Sequence, residues 1–428
     1  MTDTLLTLLG VALCAIVLVQ LSFWTAGSVL SFFKRQKQFE LSQQLLREQI
    51  QAAVAQGEQR TQYSSGDNDV GSWQGYRQFR VVRLVKETNA CTSVYLTPTD
   101  KKPICSYLPG QHLTLKFSLP GEPKPVVRCY SLSQGPGTDE YRITVKINPP
   151  PRENPSAPPG QVSSFINRQL LQGDFVEVKS PSGHFHLDIA SNTPAILLAG
   201  GIGVTPMLSM IDYIVCNQPN REVLMFYGSR NGADHVFRSY LSQVQEQFPN
   251  IHIINVYSNA RPEDQLGVDY HFPGHVSVEL LLRALPHLSY QYYMCGPSSF
   301  MDSLHNGLVA AGVPESRIHF EAFGPASIGK NRNLNSDNNP ATATENTITF
   351  AASGVKANWN TNSENILAVG EANGVEMESG CRAGSCETCE VAIIKGKVKY
   401  PDGQQVECLP GNCLPCIAQP DGSLELDV

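Results

Sequence analysis

Six cysteines crowd into 36 residues near the C-terminus: Cys381, Cys386, Cys389, Cys408, Cys413 and Cys416. The first three form a C-x4-C-x2-C run. Clustering at such short spacings indicates a metal centre rather than a disulfide framework. Three thiolates that must meet at one small centre require a loop, because neither a helix nor a strand turns tightly enough. Zinc sites use paired close spacings, and one such pair is evident here, so zinc is the weaker alternative. The other six cysteines (Cys14, Cys91, Cys105, Cys129, Cys216, Cys295) are scattered and read as small buried hydrophobes.

The chain of 428 residues is too long for one ordinary domain. It has 32 Lys and Arg against 39 Asp and Glu, a net charge of −7, which argues against nucleic-acid binding. All of that imbalance lies between Glu345 and Val428, where 12 residues are acidic and 5 basic. An acidic module on a neutral body suits electrostatic docking to a basic partner.

Thr4 to Phe33 carries no charge, and 16 of the 20 residues from Leu5 to Trp24 are apolar. About 20 such residues span a bilayer core. Phe23, Trp24, Phe32 and Phe33 crowd the far end, followed by Lys34-Arg35-Gln36-Lys37. A cleaved signal peptide has its positive charge first and a shorter apolar core. The expectation is a single-pass membrane anchor over 1–33, with the later domains in the cytoplasm by the positive-inside rule. Phe39–Val54 reads as a stalk helix, a coiled coil or a membrane-surface helix, and with the polar tether after it fills 34–72.

Short strands with turn signals occupy the next hundred residues: Val81-Val82, Thr92–Leu96, His112–Phe117, Tyr141–Ile147 and Phe175–Val178. They predict a small antiparallel β-barrel over 73–189. Then strands alternate with helical segments, predicting a parallel-sheet α/β domain over 190–325. The strand Ala195–Leu198 runs into Gly200-Gly201-Ile202-Gly203-Val204-Thr205-Pro206, a glycine loop that can bring backbone amides against a pyrophosphate.

With Arg128-Cys129-Tyr130-Ser131 and Gly160-Gln161-Val162-Ser163 upstream, and Cys295-Gly296-Pro297 downstream, Tyr76 to Pro325 resembles the ferredoxin–NADP reductase superfamily. The resemblance implies that Arg128 holds the flavin phosphate, Tyr130 stacks on the isoalloxazine, and Ser131 bonds near N5. It implies that Val145 to Ile147 meet the flavin edge and that Gly160, Val162 and Ser163 bind the pyrophosphate, favouring FAD. Gly201, Gly203, Thr205 and Pro206 would cradle the nicotinamide dinucleotide. Cys295, Gly296 and Pro297 would lie near the nicotinamide and Phe323 near the flavin; Ser131 and Cys295 would serve catalysis. Ser229-Arg230 after the second strand leans towards a 2′-phosphate, leaving NADH or NADPH open.

Pro325 to Thr344 reads as a linker (326–344), and Ile366–Ala372 as a helix before the cysteine loop. Residues 345–428 resemble plant-type [2Fe–2S] ferredoxins, an α+β β-grasp module with Cys381, Cys386 and Cys389 as ligands. The resemblance places the fourth ligand at Cys416, in Leu414-Pro415-Cys416, with Cys413 as the alternative. Glu387 stands where many relatives carry glycine or serine.

The two resemblances together imply an NAD(P)H oxidoreductase passing electrons through FAD and a [2Fe–2S] cluster to an oxygenase, hydroxylase or desaturase at a membrane. The alternative is a respiratory NADH–quinone subunit. In the sodium-pumping enzyme the ferredoxin domain precedes the flavin domain, whereas here it follows.

Overall fold

The computed structural model describes residues 72–150, 154–323, 346–360, 363–380, 382, 384, 388–400, 406 and 408–428. The expected anchor, stalk and linker lie outside these residues. Among the described residues no helix is long and apolar enough to cross a membrane.

The first sheet has six strands: β1 (Arg77–Thr88), β2 (Cys91–Pro98), β3 (His112–Phe117), β4 (Val126–Ser131), β5 (Tyr141–Lys146) and β6 (Phe175–Val178). Their order is β4-β3-β6-β1-β2-β5, antiparallel throughout. Leu132, just past β4, bridges Ile143 of β5, so the two edges meet and the sheet closes on itself. Alternate residues point inward, and Phe79, Leu96, Leu113, Tyr141 and Val178 are fully buried. Helix α1 (Gln161–Arg168) adds Val162 and Ile166 to that core. Strand β4 escapes a reading by pattern, because Arg128, Cys129 and Tyr130 break the apolar alternation. Pairing with β3 makes it a strand, with Arg128 opposite Leu115 and Tyr130 opposite Leu113.

The second sheet contains β7 (Ala195–Gly200), β8 (Val223–Ser229), β9 (Ile251–Tyr257), β10 (Phe272–Pro273), β11 (Gln291–Gly296) and β12 (Ile318–Ala322). It is parallel, in the order β10-β9-β8-β7-β11-β12. The helices are α2 (Val204–Asn217), α3 (Arg238–Gln247), α4 (Val278–Ala284) and α5 (Ser298–Ala310). Every residue of β7 is buried, as befits a central parallel strand covered on both faces. Strand order reverses between β7 and β11, and ligands of such sheets bind outside the carboxyl ends at that point.

The segment joining the two sheets is pinned. Arg221, 2% exposed, donates to the carbonyls of Asp188 (3.0 Å) and Thr193 (2.9 Å). The Asp188 amide donates to the Tyr293 hydroxyl at 3.1 Å.

The third unit holds β13 (Thr347–Phe350), β14 (Val355–Asn358), α6 (Ile366–Ala372), β15 (Val391–Lys395), β16 (Val398–Lys399), β17 (Asn412–Cys413), β18 (Gln419–Pro420) and β19 (Leu424–Leu426). Its five-stranded sheet, β14-β13-β19-β15-β17, is mixed, with β13 and β19 parallel. Helix α6 is capped by Asn365, whose side chain accepts from the Ala368 amide. The amides of Ile366 and Leu367 donate to the carbonyls of Ala418 and Pro415. The helix entry is thus tied to the segment that carries Cys416.

Candidate active site and metal centre

Strand β4 presents the barrel's side of the cleft. The Arg128 side chain is exposed, donates to the Val127 carbonyl at 2.7 Å, and makes no ion pair among the described residues. That leaves most of its guanidinium donors for an anion. Tyr130 packs half-buried against the barrel core, and burial raises its phenol above the ordinary range. Ser131 is buried, and its hydroxyl donates to Glu321 Oε2 at 3.1 Å.

Glu321 joins the two domains, because it stands on β12 directly beside Cys295 of β11. His112 Nδ1 lies 3.4 Å from its other oxygen. Gly183, at φ +115°, leaves room for that imidazole, since a Cβ there would sit 2.7 Å from Nδ1. Cys295 is fully buried. Burial first, and the Glu321 charge second, push its thiol well above the ordinary value, so it is a neutral thiol at physiological pH. Ser131 and Cys295, 164 positions apart in the chain, therefore flank one carboxylate. Glu321 and His112 escaped the sequence reading because their role lies in pairings across the fold, with no local motif to mark them.

Gly160 caps α1, and a Cβ there would lie 2.9 Å from both Asn148 and Ser163 side-chain atoms. The buried Ser163 hydroxyl accepts from the Asn148 amide (3.0 Å) and donates to the Gly160 carbonyl (2.9 Å). It therefore fixes the loop, while the first amides of α1 have no intrahelical acceptor. Val162 is buried in the barrel core. The Val145 carbonyl accepts from Asn167, and the Ile147 amide donates to Ala90.

Across the cleft the nucleotide side is built from backbone. Gly201 has φ +56° and nothing within 4 Å of where a Cβ would stand. A cradle with that open space fits a dinucleotide phosphate. At Gly203 a Cβ would come within 2.1 Å of the Cys295 carbonyl oxygen. Gly296 stacks on Gly200, 3.0 Å from its Cα to a built Cβ. Thr205 donates to the Ile202 carbonyl at 3.0 Å, and Pro206 lies buried in the first turn of α2. Pro297 caps α5. Ser229 is buried at the end of β8; Arg230 beyond it is exposed. Phe323, past β12, is 45% exposed, so it is a surface ring rather than core.

At the metal centre, Cys381, Cys386 and Glu387 lie outside the described residues. Cys389 and Cys416 are buried in one small cluster with Leu367, Leu414 and Ile417. Cys413 instead belongs to the main core of the sheet, opposite Val391 and beside Ile348 and Phe350. Gly384, at φ +80°, abuts Ile417, where a Cβ would meet that side chain at 2.4 Å. Only glycine lets the backbone at position 384 lie against the residue next to Cys416. Arg382 donates to Glu371 of α6 at 3.0 Å, tying that residue to the helix.

Residues 83–187 match the oxidoreductase FAD-binding domain, 197–306 the oxidoreductase NAD-binding domain, and 348–421 the 2Fe-2S iron-sulfur cluster binding domain. A flavohemoprotein of Oceanobacillus iheyensis is 35% identical over 61% of this chain, which spans 63% of that relative's length. The flavohem-like FAD/NAD-binding domain of nitric oxide dioxygenase from Vibrio cholerae is 30% identical, with a TM-score of 0.52; the match covers 58% of this chain and 99% of that one. Phthalate dioxygenase reductase, described as a modular structure for electron transfer from pyridine nucleotides to [2Fe–2S], shares the fold at 24% identity and a TM-score of 0.52. That match covers 83% of this chain and 98% of the reductase. The chain belongs to the family of NAD(P)H oxidoreductases with paired FAD- and NAD-binding domains, extended here by a C-terminal 2Fe-2S domain.

Proposed function

We infer that this oxidoreductase feeds electrons from a nicotinamide nucleotide to a separate metal-dependent oxygenase, hydroxylase or desaturase. The observation that carries it is the order of modules, FAD, NAD and then a 2Fe-2S domain at the C-terminal end. When bound, FAD supplies the exchange between a two-electron donor and one-electron acceptors.

The chain's own residues then have these tasks. Arg128 and the α1 amides at Gly160, Val162 and Ser163 hold the flavin's phosphates, and Tyr130 packs against its ring. Val145 and Ile147 shape the strand beside it, and Phe323 covers its exposed side. Ser131 would place its hydroxyl oxygen at the flavin edge and, through its bond to Glu321 with His112 behind, would hand its proton to that carboxylate as its oxygen takes up one released at that edge. Gly201, Gly203, Thr205 and Pro206 seat the nucleotide phosphates. Cys295, Gly296 and Pro297 shape the nicotinamide end, while Ser229 and Arg230 meet the adenosine end. Cys381, Cys386, Cys389 and Cys416 ligate the cluster. Shared packing of Cys389 with Cys416, and the Gly384–Ile417 contact, favour Cys416 over Cys413.

The uncharged segment Leu5–Trp24 anchors the chain, with its redox domains in the cytoplasm, and places the acceptor at the same membrane. The acidic 345–428 module docks on a basic face of that acceptor. The test is the rate of electron delivery from the full chain to its acceptor against ionic strength. A rate that falls steeply with salt is expected; one insensitive to salt would remove the docking reading.

A further inference from the structure

We propose that Asp212, with Arg142, is a positioning pair that holds the nucleotide cradle at hydride-transfer distance from the flavin. It rests on the reading that flavin and nucleotide occupy the sites above. Asp212 lies on α2, the helix that begins at the glycine loop. It is seven residues beyond Thr205, about 10 Å along the helix. Its carboxylate reaches across to the barrel. Oδ2 accepts from the Gly135 amide at 2.9 Å and lies 3.9 Å from Arg142 Nη2, on β5. Oδ1 accepts from the Tyr240 hydroxyl of α3.

Both sides are shaped for this contact. Gly135 has no room for a side chain, since a Cβ would meet Asp212 Cβ at 2.8 Å. Arg142 is turned by Ser133, to whose hydroxyl its Nε donates at 3.2 Å, and its guanidinium lies 5.1 Å from the Phe237 ring centroid. Phe237 takes a left-handed backbone at φ 60° to begin α3, a conformation that is strained for a bulky residue.

The loop held by Asp212 is the one that follows Ser131. Ser131 bonds β12 at one end and Gly135 bonds α2 at the other. A domain pair fixed only at its connecting segment is free to swing. Here Arg221 and Tyr293 pin the connection, Ser131 and His112 tie the barrel to Glu321, and Asp212 adds a pin on the helix that begins at the glycine loop. Pins at separate places set an angle. Hydride transfer needs near-contact geometry, and a misplacement of about 1 Å can cost about 100-fold.

The experiment compares the intact chain with Asp212→Asn, which keeps the shape and loses the charge. Four quantities are read: hydride transfer from NADH or NADPH by anaerobic stopped flow, nucleotide affinity, flavin content, and amide exchange of residues 133–136 in the nucleotide-free protein. Expected is a saturating rate about 10-fold or more lower, with nucleotide affinity and flavin content within twofold of the parent, and faster exchange at 133–136. An unchanged rate overturns the proposal. So does a rate that falls in proportion to affinity or flavin content, which marks a merely structural role. If Asp212→Asn does not fold, Gly135→Ala decides by the same readings, since it displaces the loop and leaves the charges in place. Ser131→Ala separates the two levels. If it slows transfer while Asp212→Asn does not, the positioning claim fails and the site reading stands; if neither slows it, the site reading fails.

Discussion

On the barrel side of the cleft, Arg128, Tyr130 and Ser131 are side chains standing along one strand. On the parallel-sheet side, Gly201, Gly203 and Gly296 offer bare backbone. On the proposed function, the difference follows from what each face grips. A flavin ring and its edge are recognised by a stacked aromatic, a cation and a hydroxyl. A pyrophosphate is recognised by amides, which only residues without a Cβ let it approach. Removing atoms should therefore damage the first side, and adding them the second.

The largest effect is expected at Gly203. Its added Cβ would overlap the Cys295 carbonyl, and backbone cannot step aside. Gly203→Ala should cost about 4 kcal/mol or more, seen as lost soluble protein or a much lower unfolding temperature. Gly201→Ala meets open space but a positive φ and should cost about 1–2 kcal/mol. Equal losses at the two would break the comparison.

The metal centre extends the contrast to a loop. Cys416→Ser should abolish the assembled cluster, read as iron content and visible absorbance. Cys413→Ser should leave iron bound and lower stability only modestly, because Cys413 sits in the sheet core. The reverse result would exchange the two roles.

Ser131→Ala removes one hydroxyl from the barrel side. Hydride transfer should slow by about 100-fold with thermal stability nearly unchanged, which is the opposite signature to Gly203→Ala.

His235 provides a pH test within the glycine-built half. It is buried beside Tyr227 and Tyr257, accepting or donating one bond with the Tyr257 hydroxyl at 2.7 Å. Burial first, and then Arg238, lower its pKa from 6.5 to about 3. The unfolded chain binds that proton more readily, so its contribution is complete above about pH 6.5 and is lost as pH falls towards about 3. His235→Phe should flatten the acid limb of a stability–pH curve; an unchanged limb would show that other groups set it.

The smallest effect concerns Arg230, exposed just beyond β8 and proposed to meet the adenosine end. Arg230→Ala should weaken NADPH by about 10-fold and leave NADH unchanged. Equal changes for both would show that Arg230 does not read the 2′-phosphate.

Much of this was legible in the sequence, and the exceptions share a cause. The glycine loop, the parallel strands and the Ile366–Ala372 helix announce themselves through local pattern, since each is defined by neighbours in the chain. Strand β4 does not, because its functional side chains replace the apolar alternation that marks a strand. Glu321, His112 and Asp212 were silent for a stronger reason. Ser131 meets Glu321 across 190 positions, and Gly135 meets Asp212 across 77. No periodicity within a window can show such a pairing; only the closed barrel against the sheet creates it.

The central claim is that one polypeptide carries electrons from nucleotide to cluster. It is tested most directly by anaerobic titration of the full chain, loaded with flavin and iron, with NADH and then NADPH. Absorbance follows the flavin and electron paramagnetic resonance follows the cluster. Flavin bleaching followed by the signal of a reduced [2Fe–2S] centre is the expected result. Flavin bleaching with iron bound and no such signal at excess nucleotide would contradict the account.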